Sequence, residues 1–187
     1  MGTIVVTENA TLDGVIEQLD DWFGPAAGDA DDADIVATLR EQMQTQTALL
    51  LGRNTFESFR KYWPAQTGDT AGIRAHLNPV PKYVFSRTLE EPGWENTTVL
   101  SGDLAGEVRA LKARVDGEIG VTGSITLVHG LIAAGLVDEY RLFVYPVVVG
   151  RGRRLFQDAT NVSKLEFLEA KSYRSGVILL IYRPAGK

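Results

Sequence analysis

Short apolar runs rich in β-branched residues alternate along this chain with longer stretches whose apolar positions recur every three or four residues. Residues 3–7, Thr-Ile-Val-Val-Thr, predict a first strand, with a loop after it at Asn9-Ala10-Thr11-Leu12-Asp13-Gly14. The acidic, glycine-bearing stretch 20–32 is expected to be the most mobile segment. A helix is predicted over about 32–46, where Ile35, Val36, Leu39 and Met43 share one face and the preceding aspartates suit a helix N-terminus. Ala48-Leu49-Leu50-Leu51 is apolar throughout and runs into Gly52, the pattern of a strand buried on both faces. A short helix should open near Asn54 and stop before Pro64, with another within 68–77.

The alternation continues to the far end of the chain. Lys82-Tyr83-Val84-Phe85 and Thr97-Thr98-Val99-Leu100 predict strands, and Leu104, Val108, Leu111 and Val115 mark an amphipathic helix. Ile119-Gly120-Val121-Thr122 predicts a strand, 124–134 a helix closed by Gly135, and 140–149 a long strand interrupted at Pro146. The last two strands, 165–168 and 177–182, are joined by a turn at Ser175-Gly176. Strands alternating with helices imply an α/β fold: a central, mostly parallel sheet with helices on both faces and an antiparallel C-terminal strand pair. No linker or repeat divides residues 1–187, so one domain is expected.

Composition narrows the function classes. The hydrophobic fraction is 44% and no apolar run reaches the roughly 18 residues that cross a bilayer, so a membrane role is not expected. The net charge of −5 argues against a nucleic-acid partner and leaves room for a small anionic ligand held by a local cluster. Cysteine is absent, and His76 and His129 lack the spacing of a metal pair, so no metal site is expected and a cytoplasmic home is the default.

Three strand-to-helix junctions carry candidate chemistry, because ligands of open α/β sheets bind beyond the carboxyl ends of the strands. In Gly52-Arg53-Asn54-Thr55 the glycine permits close backbone approach, the guanidinium is a fixed charge, and the following N–H groups face an anion. The plainer reading is a glycine turn before a capped helix. Ser86-Arg87-Thr88 offers two hydroxyls and a guanidinium to a phosphate monoester, such as the 2′-phosphate of NADPH; the plainer reading is a solvated loop. Thr122-Gly123-Ser124-Ile125-Thr126-Leu127 offers helix N–H groups to a pyrophosphate, or else Ser124 is simply an N-cap.

These stretches, in this order, resemble the dihydrofolate reductase-like family. The resemblance is closest to the reductase domain of the bifunctional riboflavin-biosynthesis deaminase-reductase and its stand-alone relatives. Thr11-Leu12-Asp13-Gly14, Gly123-Ser124-Ile125-Thr126-Leu127, Gly135-Leu136-Val137-Asp138-Glu139 and Pro146-Val147-Val148-Val149-Gly150-Arg151-Gly152 carry it. It implies a dihydrofolate reductase-like fold, a homodimer, and NADPH extended across the strand ends. Arg53, Asn54 and Thr55 would then meet the pyrophosphate region, Ser86, Arg87 and Thr88 the 2′-phosphate, and Gly123 to Leu127 the remaining phosphates and the nicotinamide ribose. A cis peptide at Gly123-Ser124, in place of that family's glycine pair, is a further expectation. The activity implied is reduction of a small planar heterocycle or carbonyl compound; a ligand-holding sensor without turnover is the alternative.

For the proton that accompanies a hydride, two carboxylates are candidates. Asp32 lies in the first turn of its helix near the apolar face, where it is otherwise a dipole partner, and Asp13 lies in a loop, where it otherwise holds its own turn. Trp22 and Phe23 are candidates for stacking on a flat substrate or for packing onto the core, and Tyr145 for presenting its hydroxyl at a strand end. Arg151, Arg153 and Arg154 read first as a solvated turn, with phosphate contact as the alternative, and His129 as packed or capping rather than catalytic.

Overall fold

The computed structural model describes residues 1–19, 22, 33–69, 71–157 and 164–186. Among these, eight strands form one sheet in the order β4-β3-β2-β5-β1-β6-β8-β7. They are β1 (Thr3–Thr11), β2 (Gln46–Gly52), β3 (Lys82–Phe85), β4 (Thr97–Leu100), β5 (Glu118–Thr122), β6 (Glu139–Tyr145), β7 (Leu165–Ser172) and β8 (Ile178–Pro184). The first six pair in parallel; β8 runs antiparallel to β6 and β7 to β8, as the C-terminal pattern predicts. The helices are α1 (Ala33–Thr45), α2 (Arg53–Tyr62), α3 (Ile73–Leu77), α4 (Leu104–Arg114) and α5 (Ile125–Ala133). None of the described helices is long and apolar enough to cross a membrane.

The central strands are apolar on both sides because helices cover both faces. Ile4 and Val6 of β1, Ala48 and Leu50 of β2, and Ile119 and Val121 of β5 pack under α4 and α5. On the other side Leu49, Leu51 and Val84 meet Phe56 of α2 and Leu77 of α3, while Ile35 of α1 sits with Phe143 and Leu179.

Several boundaries depart from the pattern-based reading. Asn9, Ala10 and Thr11 continue β1 rather than forming a loop, because they keep pairing with Phe143, Val144 and Tyr145 of β6. β6 stops at Tyr145, since Pro146 has no N–H to extend the ladder. Gly72, left-handed at φ 78°, delays α3 to Ile73, and Gln46 belongs to β2 rather than to the preceding helix.

Lys82 opens β3 yet is fully buried. Its Nζ donates to the carbonyls of Leu77, Asn78 and Val80 at 2.7, 3.0 and 2.9 Å, closing the end of α3, and lies 4.8 Å from the Trp94 ring centre. Burial, only partly offset by Glu95, pulls its pKa down to about 8. The unfolded value is about 10.4, so between the two the unfolded chain binds more protons and stability rises with pH. Lys82→Met, which strands three carbonyls, should cost about 1.5–3 kcal/mol in urea unfolding at neutral pH. It should also abolish the rise in stability from about pH 8 to pH 10; an unchanged pH profile would refute the assignment.

Candidate functional site

The carboxyl ends of β2, β5 and β1 open onto a cleft of about 760 Å³. Two helices begin on its rim. Gly52 ends β2 and leads into α2; Gly123 and Ser124 follow β5 and lead into α5. Neither helix has a side-chain cap or an acidic residue in its first turn, so both positive ends are left for a ligand. The two turns are tied together. Ser124 Oγ accepts from the Gly52 N–H at 2.9 Å, and the Ser124 N–H donates to Thr55 Oγ1 at 2.8 Å. The approach is close: a Cβ on Gly123 would stand 3.2 Å from Thr55, and one on Gly52 would stand 3.4 Å from Ser124.

Gly123 and Ser124 are both left-handed, at φ 57° and 52°, and the peptide between them is trans. The expected cis bond is therefore not found; two successive left-handed residues make the reversal instead. Ser124 stands at the N-cap position with its hydroxyl turned to Gly52, so it does not cap α5.

Gly52, Arg53, Asn54, Thr55 and the whole run Thr122, Gly123, Ser124, Ile125, Thr126 and Leu127 line the cleft. The Ser86 segment lies beside it. Ser86 Oγ accepts from the Thr88 and Leu89 N–H groups at 3.2 and 3.1 Å and so shapes its own turn, while Arg87 and Thr88 are exposed. Arg53 joins the two segments, donating from Nη1 to Thr88 Oγ1 at 2.8 Å.

The cleft continues along the sheet face beneath α1 and α3. Its walls are Leu39, Met43, Phe59, Trp63, Ile73 and Leu77, and its polar groups include Thr7, Asn9, Gln42, Gln46 and His76. The His76 ring nitrogen Nε2 lies 2.7 Å from Gln46 Oε1; burial, and then Lys82, hold the His76 pKa below its ordinary value. Gln46 lies against Gly120, where a Cβ would stand 1.7 Å from its amide nitrogen. Farther in, Arg141 is gripped on both sides: it donates to both Glu118 oxygens at 3.0 and 2.9 Å and from Nε to Glu139 at 2.6 Å.

The acid candidates fare differently. Asp13 accepts from Thr11 Oγ1 at 2.6 Å and from the Gly150 and Val149 N–H groups at 2.9 and 3.3 Å. These bonds, the Thr11 hydroxyl first, lower its pKa to about 2. Asp13 does not line the cleft; it pins the loop after β1 to the loop after β6. Asp32 and Phe23 lie outside the described residues. Trp22 lines the cleft, donates from its indole to the Glu17 carbonyl at 2.9 Å, and meets Tyr145 edge to face at 5.7 Å; Tyr145 itself lies behind it. Arg153 pairs with Glu17 at 2.7 Å, Arg154 donates to the Asp13 carbonyl, and His129 lies 2.8 Å from the Arg154 carbonyl. Among the described residues no cluster of His, Cys, Asp and Glu is arranged to hold a metal ion.

One carboxyl group escaped the sequence reading. Glu8 lines the cleft from β1, is only 5% exposed, and has an Oε1 with no hydrogen-bond partner among the described residues. Burial drives its pKa well above the ordinary carboxylate range, against the opposing pull of the Gly123 N–H. The available signal was parity. Glu8 continues the inward series Ile4, Val6 and precedes the buried Ala10.

Known proteins share this architecture. The chain is 32% identical to an uncharacterised protein of Bacillus subtilis, YyaP, over 96% of its own length and 93% of the relative's. A pyrimidine reductase-like protein of Corynebacterium diphtheriae superposes with a TM-score of 0.67 at 17% identity, over 99% of this chain and 92% of that one. The Thermotoga maritima diaminohydroxyphosphoribosylaminopyrimidine deaminase/5-amino-6-(5-phosphoribosylamino)uracil reductase gives 0.67 at 17% identity, over 98% of this chain and 57% of that longer one. These two structures speak for the fold, which is that of the riboflavin-biosynthesis reductase-like proteins, as the motifs implied. The family model of the RibD C-terminal domain matches residues 2–179, and the chain belongs to that family.

Proposed function

We propose that the protein is an NADPH-dependent reductase of a small, planar, uncharged heterocycle. The observation that carries this reading is the convergence of two uncapped, acid-free helix N-termini on one cleft that continues into an apolar arm. The first part suits a dinucleotide diphosphate: Ile125, Thr126 and Leu127 of the first turn of α5 line the cleft, and Arg53 adds a charge at the rim. Bound there, NADPH would supply a hydride. The second part suits a flat ring, with Leu39, Met43, Phe59 and Trp63 as walls and the amides of Gln42 and Gln46 for its polar edge. Arg141 is saturated by Glu118 and Glu139, and the lowered pKa of His76 favours its neutral form, which fits an uncharged ring better than an anionic one. The protein of Thermotoga maritima is named for reducing a ribosylated pyrimidine phosphate; here the ring class is kept and the phosphate is left open to test.

Titration of the protein with NADPH and NADH, followed by tryptophan quenching, is the first test. NADPH should bind at least about tenfold more tightly than NADH, and Arg87→Ala should erase that preference, as loss of a charge-assisted phosphate contact would. Single-turnover oxidation of bound NADPH, with pterins and with pyrimidines carrying and lacking a ribose phosphate, then defines the acceptor. Binding of neither nucleotide would sink the reading. The engagement of Asp13 away from the cleft supports a second reading, a nucleotide-binding sensor; it predicts tight binding with no hydride loss to any acceptor.

A further inference from the structure

Glu8 is out of place for a purely structural residue. It stands two residues beyond Val6 on the sheet face that packs under α5, beside the Gly123 turn where that helix begins. An ionised carboxylate there would compete with any anion drawn to the helix end, and an unpaired oxygen buried in the fold is costly unless something meets it. We propose that the Glu8 carboxyl is a recognition group of the cleft, donating a hydrogen bond through Oε1 to an oxygen of a bound dinucleotide next to its diphosphate.

Three features of the site bear on this. The side chain lines the cleft yet is almost wholly enclosed, so a ligand settling on the Gly123 turn would close over it. Among the described residues Oε1 has no hydrogen-bond partner, while the Gly123 N–H favours the charged form of the group. And the surroundings offer no charge to hold a carboxylate: Leu142 of β6 stands opposite Glu8, and Gly123, Ser124, Ile125, Thr126 and Leu127 follow on the other side. The nearest titratable group on α5, His129, is engaged with the Arg154 carbonyl. The other charged or titratable groups of the cleft, Arg53, His76, Glu118, Arg141 and Arg153, each have partners of their own. Burial raises the Glu8 pKa in the free protein, and a neighbouring diphosphate raises it further, so the acid is kept as a donor.

The sign of the linkage follows. With the ligand-bound pKa above the free one, binding takes up protons between the two values, and affinity is greatest at low pH. Through that window the dissociation constant should rise about tenfold per pH unit. The inference rests on the cleft being a dinucleotide site, and calorimetric titration with NADH is chosen because that ligand lacks the 2′-phosphate that itself titrates. Repeating it in buffers of different ionisation enthalpy counts the protons. Wild-type protein should take up as much as about one proton per NADH bound. Glu8→Gln, a neutral isostere that still offers a donor, should bind at low pH within about twofold of wild type, with no proton uptake and a flat pH profile. Absence of uptake in the wild type would overturn the proposal without any variant, and so would an unchanged pH profile in Glu8→Gln. Failure of the wild type to bind NADH or NADPH at any pH would bring down the dinucleotide reading itself, which is a different result from binding that ignores Glu8.

Discussion

Arg141→Met is expected to lower the free energy of unfolding by about 3–5 kcal/mol, the usual cost of removing one partner of a buried ion pair. The guanidinium is only 13% exposed and the Glu118 side chain 9%, so neither charge is rehydrated if the other is lost. Glu118 would keep one donor, the Thr45 hydroxyl at 3.0 Å, which cannot neutralise it. Glu139 is less exposed to the loss, being 26% accessible and at the rim of the cluster. Arg141→Lys should be nearly as damaging, because an ammonium cannot give the two parallel bonds to Glu118 while also reaching Glu139. The companion change Glu118→Gln in the Arg141→Met background should restore much of the loss, since it removes the stranded charge. Urea unfolding followed by tryptophan fluorescence reads all three. A loss of under about 1 kcal/mol for Arg141→Met would mean that water reaches Glu118 and that this end of the cleft is wet.

That cluster also shows where reading a sequence reaches its limit. The strands β3 and β4 lie where their runs of β-branched, aromatic and apolar residues place them, because a short strand is marked by its local pattern alone. The junctions at Gly52 and Gly123 are legible for the same reason, since strand, small residue and helix start are neighbours in the chain; Ser86 follows a strand too, but it opens a turn towards β4 and no helix. What joins them is not. The bond from Ser124 to Thr55 spans 69 residues and that from Arg141 to Glu118 spans 23, and both depend on which strands sit side by side. Parallel order is set by long crossovers, so β5 inserts between β2 and β1 without any local signal. Asp13 is an acid beside a glycine in the sequence, yet the loop that claims its carboxylate through the Val149 and Gly150 N–H groups lies up to 137 residues away. Glu8 falls just beyond the strand that the local pattern predicts, 3–7; only pairing with Leu142 of β6 extends β1 through it, on the parity of Ile4 and Val6.

Gly120→Ala is expected to reduce hydride transfer to the acceptor by up to about 100-fold while leaving nucleotide affinity within about twofold, because small displacements of a bound reactant are that costly. Gly120 forms part of the sheet floor beneath the arm proposed for the ring, three residues before the turn at Gly123. A methyl group there would overlap the Gln46 side chain, at 1.7 Å from its amide nitrogen and 2.6 Å from its carbonyl carbon. The strand itself tolerates alanine, so the conflict resolves by moving the side chain: Gln46 swings out, leaves His76, and takes the space that a flat ligand would fill. The helix ends at Gly52 and Gly123 are untouched by this, which separates the two halves of the cleft in one variant. The ring-nitrogen resonances of His76 give a readout that needs no acceptor, since its contact with Gln46 at 2.7 Å should be lost. If the His76 signals shift and NADPH still binds but is no longer oxidised, the arm over Gly120 is the acceptor site. If turnover survives with Gln46 displaced, the ring sits elsewhere, and the amides of this arm serve the fold rather than the substrate.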